Sequence, residues 1–128
     1  MRPTLLTVDD SPTVRTIVHR ALRGYDCVVL DAGNGAEGLV VAGRGRPDLI
    51  LLDVTMPVMD GITMLSRLKA DPALQGIPVL MLTSVGAAAH DHPFAGIAVS
   101  GSLVKPFKEG ALVAKVLSIL ELTLRAGA

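Results

Sequence analysis

Aromatic side chains are almost absent from this sequence of 128 residues, which has two phenylalanines, one tyrosine and no tryptophan. Its core must therefore be built from aliphatic side chains, and half of all residues are apolar. Such aliphatic richness is typical of parallel strands that helices bury on both faces. A chain of this length is large enough to bury a core without disulfide or metal staples, so we expect residues 1–128 to form one domain.

The sequence also lacks a disulfide framework, an excess of charge and a long apolar run. Its single cysteine, Cys27, lies in an apolar stretch, and we interpret it as a small buried side chain in a reducing compartment. Twelve basic and twelve acidic residues give zero net charge, so the composition does not indicate direct nucleic-acid binding. No apolar run reaches the ~18 residues that a transmembrane helix needs. We therefore expect a cytoplasmic protein without membrane insertion.

Short apolar runs alternate regularly with amphipathic stretches. The apolar runs predict strands at residues 4–8, 27–31, 48–53, 77–82 and 100–104. The amphipathic stretches predict a helix that begins at Pro12 and stops at Gly24, followed by helices at 34–42, 61–70, 86–92 (weak) and 107–124. Alternation of this kind predicts an α/β fold, with a single doubly wound five-stranded parallel sheet and helices on both faces.

Reactive side chains follow the predicted strands where each strand ends. Asp9 and Asp10 follow the first strand, Asp53 ends the third, Thr83 follows the fourth and Lys105 follows the fifth. The carboxyl ends of parallel strands meet at one edge of a sheet, where ligands bind. Carboxylates gathered there repel one another, and Mg²⁺ relieves that repulsion. A carboxylate also attacks phosphorus, so the pattern indicates phosphoryl transfer to an aspartate beside a lysine and a hydroxyl donor.

Four blocks of sequence resemble the CheY-like receiver domain of two-component response regulators. These blocks are VDDS at residues 8–11, LLDVTMPVMDG at 51–61, LTS at 82–84 and VKPF at 104–107. Together they span nearly the whole chain. The resemblance implies the flavodoxin-like strand order 2-1-3-4-5. It also implies a phosphoacceptor switch, which is not an enzyme beyond catalysing its own phosphorylation and dephosphorylation.

The resemblance further implies an acceptor residue and a metal site. Asp53 would take the phosphoryl group from the phosphohistidine of a sensor histidine kinase or phosphotransfer protein. Mg²⁺ would be held by Asp10, Asp53 and the backbone carbonyl of Thr55. Asp9 would act on the ion through water.

Two more residues receive roles by the same resemblance. Lys105 would pair with the phosphate, and its bond to Pro106 would be cis, which proline makes accessible. Thr83 would move toward the phosphate and pass the signal to a downstream protein target.

The sequence departs from the family pattern at two places on the face that usually meets partners. The family commonly has Tyr, Phe or His three residues before the lysine, where this chain has Ser102. Residues 84–99 have the usual length but contain glycines and a proline that oppose a helix. The sequence leaves open a standalone regulator, of chemotaxis or phosphorelay type, and a receiver from a longer protein.

Three other functions remain open. Residues 33–38 read G-x-G-x-x-G after a strand, with Asp53 twenty residues beyond, which is the pattern of a nucleotide-binding module. A haloacid-dehalogenase-like phosphatase also uses a strand-end aspartate, but it needs a second aspartate where this chain has Thr55. A receiver-like interaction domain that works without phosphorylation would lack an acceptor or a lysine, and this chain has both.

Overall fold

The computed structural model describes residues 2–84 and 99–125 of the chain, which form an α/β fold. The strands are β1 (Thr4–Val8), β2 (Val28–Ala32), β3 (Leu49–Asp53), β4 (Val79–Ser84) and β5 (Gly101–Lys105). The helices of the described residues are α1 (Pro12–Leu22), α2 (Gly35–Gly45), α3 (Gly61–Ala70) and α4 (Glu109–Ile119). None of these helices is long and apolar enough to cross a bilayer.

The five strands form one parallel sheet in the order β2-β1-β3-β4-β5. The predicted fold class and strand order are therefore confirmed. The register places Asp53 of β3 opposite Leu82 of β4, and Ser84 of β4 opposite Lys105 of β5. The carboxyl ends of β1, β3, β4 and β5 consequently meet at one edge of the sheet.

Two apolar clusters cover the two faces of the sheet. Side chains alternate along a strand, so Leu6 and Val8 of β1 enter one cluster while Leu5 enters the other. The first cluster also takes buried side chains of α2 and α3, and the second takes those of α1 and α4. Every residue of β3 is buried, as expected for a central strand covered on both faces.

Three helices begin at a side-chain cap a few residues after a strand. Ser11 accepts a hydrogen bond from the backbone N–H of Val14 at 3.3 Å, at the start of α1. Asn34 caps α2 and Asp60 caps α3 in the same way, at 2.9 and 2.8 Å. These caps satisfy N–H groups that a helix leaves unpaired at its start. They also set where the loops at the carboxyl edge end.

The prediction of one closing helix over residues 107–124 was wrong, because α4 covers only Glu109–Ile119. Residues 120–125, which we call the C-terminal strap, instead run beside the turn between α1 and β2. Asp26 N–H donates to the Thr123 carbonyl, and Arg125 N–H donates to the Gly24 carbonyl, each at 2.8 Å. Leu124, which was expected on the apolar face of the helix, is 72% exposed. Hydrogen bonds to a distant turn therefore outweigh the helical leucine spacing.

Other predicted bounds differ by a few residues. The helix predicted at 34–42 continues to Gly45. It ends there because the next residue, Arg46, has a left-handed conformation with φ 43°. Strand β4 begins at Val79 rather than at residue 77 and continues to Ser84. The weak helix predicted at 86–92 lies outside the described residues.

Candidate functional site

Three carboxylates meet at the carboxyl edge of the sheet. Asp9 and Asp10 follow β1, Asp53 ends the adjacent β3, and one carboxylate oxygen of each lies within 4.8 Å of the others. The side chains of Asp9 and Asp53 are buried, with 0% and 4% of the residue exposed, whereas Asp10 is exposed. The sequence-predicted acids are therefore brought together, with one of them open to solvent.

Lys105 extends from the end of β5 into this cluster. Its Nζ lies 2.7 Å from Oδ2 of Asp9 and 3.1 Å from Oδ1 of Asp53. At these distances the oppositely charged groups form ion pairs. The bond between Lys105 and Pro106 is cis, as the resemblance implied. One ammonium group thus bridges the two buried carboxylates.

Burial and charge shift the ionisation of this cluster. Burial, and then the charge of Asp9, raise the pKa of Asp53, and the contacts with Lys105 and the Thr55 N–H offset this only in part. Burial alone lowers the pKa of Lys105, but its hydrogen bonds and charge interactions with Asp9 and Asp53 outweigh burial and leave the pKa raised. Lys105 therefore stays protonated, whereas burial first, and then the negative charge of Asp9, keep the pKa of Asp53 raised despite the contact with Lys105.

The donor set fits a hard divalent cation. Carboxylate oxygens are the protein ligands that Mg²⁺ prefers, and exposed Asp10 gives the ion an approach from solvent. Two buried carboxylates share a single lysine, so a cation compensates charge that is otherwise costly to bury. Thr55 is exposed, and its N–H donates to Oδ1 of Asp53 at 3.3 Å. The part of its carbonyl in metal binding stays a prediction.

Thr83 is fully buried on β4, and it follows Leu82, the residue that pairs with Asp53. Its hydroxyl has no hydrogen-bond partner among the residues that the structure describes. A buried hydroxyl without a partner costs about 1–3 kcal/mol, so it favours a ligand oxygen that completes its bonding.

Ser102 lies on β5 opposite Met81 and is half-buried, at the position where the family commonly has an aromatic side chain.

Arg15 is a site neighbour that sequence reasoning missed. Its Nη1 donates to the main-chain carbonyl of Asp9. The signal available in the sequence was its place on α1, one turn after the cap at Ser11. That signal is weak, because arginines on a polar helix face are usually solvated. The contact depends on how α1 packs against the sheet.

The glycines at residues 33–38 serve packing, which argues against the nucleotide-binding alternative. A β-carbon on Gly35 would lie 2.6 Å from the Met59 carbonyl oxygen, and the Gly35 N–H donates to that oxygen at 3.0 Å. Glu37 N–H donates to Oδ1 of Asn34, and Gly38 N–H to the Asn34 carbonyl. These are N–H groups of the kind that a bound pyrophosphate would need, and they are already paired within the chain.

Comparison with known proteins gives a consistent assignment. Residues 5–117 match the family model of the response regulator receiver domain. The chain is 35% identical over 123 residues to the DNA-binding dual master transcriptional regulator RpaA of Synechocystis sp., covering 94% of this chain and 50% of that protein. It is 37% identical over 124 residues to the phosphate regulon transcriptional regulatory protein PhoB of Pseudomonas aeruginosa, covering 94% and 52%. The chain thus spans about half the length of these curated relatives.

Solved structures show the same fold at full length. The chemotaxis response regulator CheY4 of Vibrio cholerae superposes with a TM-score of 0.86 at 31% identity, covering 94% of this chain and 100% of that one. A putative response regulator from Chloroflexus aurantiacus superposes with a TM-score of 0.85 at 34% identity, covering 93% and 98%. The family match at residues 5–117 includes the three clustered aspartates and Lys105.

Proposed function

Since this chain belongs to the family of response regulator receiver domains, we propose that Asp53 accepts a phosphoryl group from a phosphohistidine. The observation that carries this proposal is the contact of Lys105 with both Asp53 and Asp9 beside a third carboxylate. The donor would be a sensor histidine kinase or a phosphotransfer protein, since receiver domains interact with histidine kinases. Residues 1–128 would act as one receiver unit.

The transfer requires a nucleophile, a countercharge and an approach path. An ionised oxygen of Asp53 attacks phosphorus as the P–N bond to the donor imidazole breaks, and the bonding pair returns to that nitrogen. Lys105 stays protonated and balances charge that develops on the phosphoryl oxygens. Asp10, Asp53 and the Thr55 carbonyl would hold Mg²⁺, with Asp9 acting through water, and the bound ion would neutralise charge on the carboxylates and the phosphoryl oxygens.

The product contains the elements of a switch. A phosphoryl group brings a charge of about −2 and three acceptor oxygens. Lys105 then has a new anionic partner, and the phosphoryl oxygens would offer an acceptor to the Thr83 hydroxyl, which has no hydrogen-bond partner among the described residues. β4 and β5 are hydrogen-bonded neighbours with Ser84 opposite Lys105, so a shift at either residue moves both strand ends. Only a phosphate that binds the two conformations differently shifts their population.

The proposed role is signalling rather than turnover, because receiver domains act as switches. We propose that the chain catalyses only its own phosphorylation and dephosphorylation, in the cytoplasm, and that its downstream target is a protein surface. Relatives of about twice its length are transcriptional regulators, and a relative of similar length is a chemotaxis regulator. The target would be a DNA-binding domain in the first case and a separate protein in the second.

Intact-mass spectrometry after incubation with acetyl phosphate and MgCl₂ tests the proposal. We expect one phosphoryl adduct on the wild type, acid-stable and base-labile, and none on Asp53→Asn. Asp31→Asn serves as a matched control, because Asp31 is exposed and pairs with His19 at 2.9 Å. An unlabelled wild type, or equal labelling of Asp53→Asn, would contradict an acyl phosphate on Asp53.

A further inference from the structure

Arg15 makes a contact that the proposed chemistry does not use. Its Nη1 donates to the main-chain carbonyl of Asp9, in a partly buried position on the first turns of α1. That carbonyl belongs to the peptide bond that joins Asp9 to Asp10. The guanidinium therefore holds the orientation of the peptide between two of the three clustered carboxylates.

The other polar groups of Asp9 are held by different partners. Its N–H donates to the Ala32 carbonyl at 3.0 Å, and its Oδ1 accepts from the Ser11 N–H at 2.9 Å. Its Oδ2 contacts Lys105 at 2.7 Å. Among the described residues, Arg15 is the only one whose side chain holds the main chain of Asp9. Its loss would leave a carbonyl next to a fully buried side chain without that partner.

Asp10 depends on this peptide more than Asp9 does. Its carboxylate is exposed and makes no hydrogen bond or ion pair with any of the residues that the structure describes. The position of the Asp10 carboxylate is therefore set by its backbone, and that backbone begins at the peptide that Arg15 holds.

Arg15 also borders the loop between β2 and α2. A β-carbon on Gly33 would lie 3.9 Å from Arg15 Nη1 and 3.8 Å from Oε2 of Glu37. The guanidinium thus lies between α1, the loop that carries Asp9 and Asp10, and the loop after β2. An arginine side chain packed between three elements has fewer accessible rotamers than one in solvent. It therefore loses less side-chain entropy when it donates its hydrogen bond to the Asp9 carbonyl.

We propose that Arg15 is a positioning residue for the magnesium site, acting through the Asp9–Asp10 peptide without touching the ion or the phosphoryl group. This inference rests on the proposed function, since it assigns Arg15 to the same acidic cluster. Groups that orient metal ligands in this way typically change metal affinity by about 10–100-fold when they are removed.

Charge and positioning predict opposite results for Arg15. A guanidinium that contacts the main chain of Asp9 repels a divalent cation bound at the neighbouring carboxylates, so removing its charge alone would tighten Mg²⁺ binding. Removing a group that orients Asp10 would weaken Mg²⁺ binding. The sign of the change in affinity therefore separates the two roles.

The test measures the Mg²⁺ Kd of the unphosphorylated protein by calorimetry and by backbone amide shifts, at constant pH and ionic strength. We expect Arg15→Met to raise the Kd by about tenfold. The initial rate of phosphorylation from acetyl phosphate should need correspondingly more Mg²⁺, yet reach nearly the wild-type rate at saturation. A residue that reacted directly would lower the saturated rate.

Two controls separate positioning from charge and from stability. Arg20→Met removes another arginine of α1, one that pairs with Glu109 at 2.9 Å, and should leave the Kd unchanged. Val116→Ala weakens the core under α4 and should lower the Tm without changing the Kd. If Arg15→Met does not fold, the same titration on the milder Arg15→Gln should show a raised Kd.

A Kd for the folded Arg15 variant that equals or falls below the wild-type value would overturn the positioning role while leaving the phosphoacceptor proposal intact. A wild type that neither binds Mg²⁺ nor forms an adduct would overturn both.

Discussion

Gly61, the first residue of α3, lies against the backbone of Asp53: a β-carbon at residue 61 would stand only 2.0 Å from the Asp53 carbonyl oxygen. The Gly61 N–H also donates to the Val54 carbonyl at 2.8 Å. This close approach packs the start of α3 directly under the strand end that carries the acceptor carboxylate. A glycine outside the reacting groups thus permits the close packing of α3 on the Asp53 backbone.

Gly61→Ala should therefore disturb both the stability and the site. The clash is with backbone atoms, which cannot move aside as a flexible side chain does, so we expect a loss of about 1–3 kcal/mol in the free energy of unfolding. Phosphorylation from acetyl phosphate should slow as the Asp53 backbone shifts. Urea denaturation and intact-mass time courses measure the two effects.

Gly43→Ala is the matched control for this prediction. Gly43 lies inside α2 with nothing within 4 Å of an added β-carbon. Alanine there should increase the free energy of unfolding by about 0.5–1 kcal/mol, because glycine is the poorer helix former. If both alanine variants lost stability equally, backbone contact at Gly61 would not be the cause.

Val58 has a strained backbone in the loop after β3. Its φ is 67°, a region that a β-branched residue rarely adopts, and the residue is 84% exposed. We expect Val58→Asn to increase the free energy of unfolding by about 1 kcal/mol, because asparagine tolerates this conformation and little apolar burial is lost. Thermal unfolding measures the change. Val40→Asn, at a half-exposed helical residue, should be neutral or destabilising.

The C-terminal strap should protect the turn between α1 and β2 together with buried Cys27. Deleting residues 120–128 removes two backbone hydrogen bonds to that turn and the packing of Leu120 and Leu122 on the core. We expect a lower Tm and faster labelling of Cys27 by a thiol reagent. Leu124→Ala, which changes only an exposed side chain, should label at the wild-type rate. Equally slow labelling of the deletion variant would show that the strap does not cover the thiol.

Cys27 should make stability depend on pH in the alkaline range. Burial raises the pKa of this thiol above its ordinary value of 9.0, and nearby Arg125 and Arg2 offset this only in part. The contribution of the protonated thiol to stability is fully present below pH 9.0, the ordinary pKa that the thiol has in the unfolded chain. That contribution is lost as the pH rises, because the unfolded thiol ionises while the folded one stays protonated.

Urea denaturation at pH 7, 9 and 10 measures this effect against Cys27→Val. We expect the wild type to lose more free energy of unfolding than the variant between the two higher pH values. Parallel pH profiles for the two proteins would rule out a contribution from the thiol.

The start of α1 is a feature that the local sequence predicts. Pro12 predicted the first helical residue, which was confirmed, and the adjacent Ser11 is the side-chain cap of the helix. The end of α4 illustrates the opposite case. Its leucines fit a helix to Leu124, but the hydrogen bonds that end it come from Gly24 and Asp26, about a hundred residues earlier in the chain.

The sequence by itself determined the alternation of strands and helices, and it placed three aspartates, a threonine and a lysine at strand ends. It could do so because periodicity and caps are local, and because parallel strands bring their carboxyl ends to one edge. Only the tertiary structure decided that Arg15 holds the Asp9–Asp10 peptide and that Gly61 touches the Asp53 backbone. Those contacts join separate elements, and their energies depend on packing that no neighbouring residues specify.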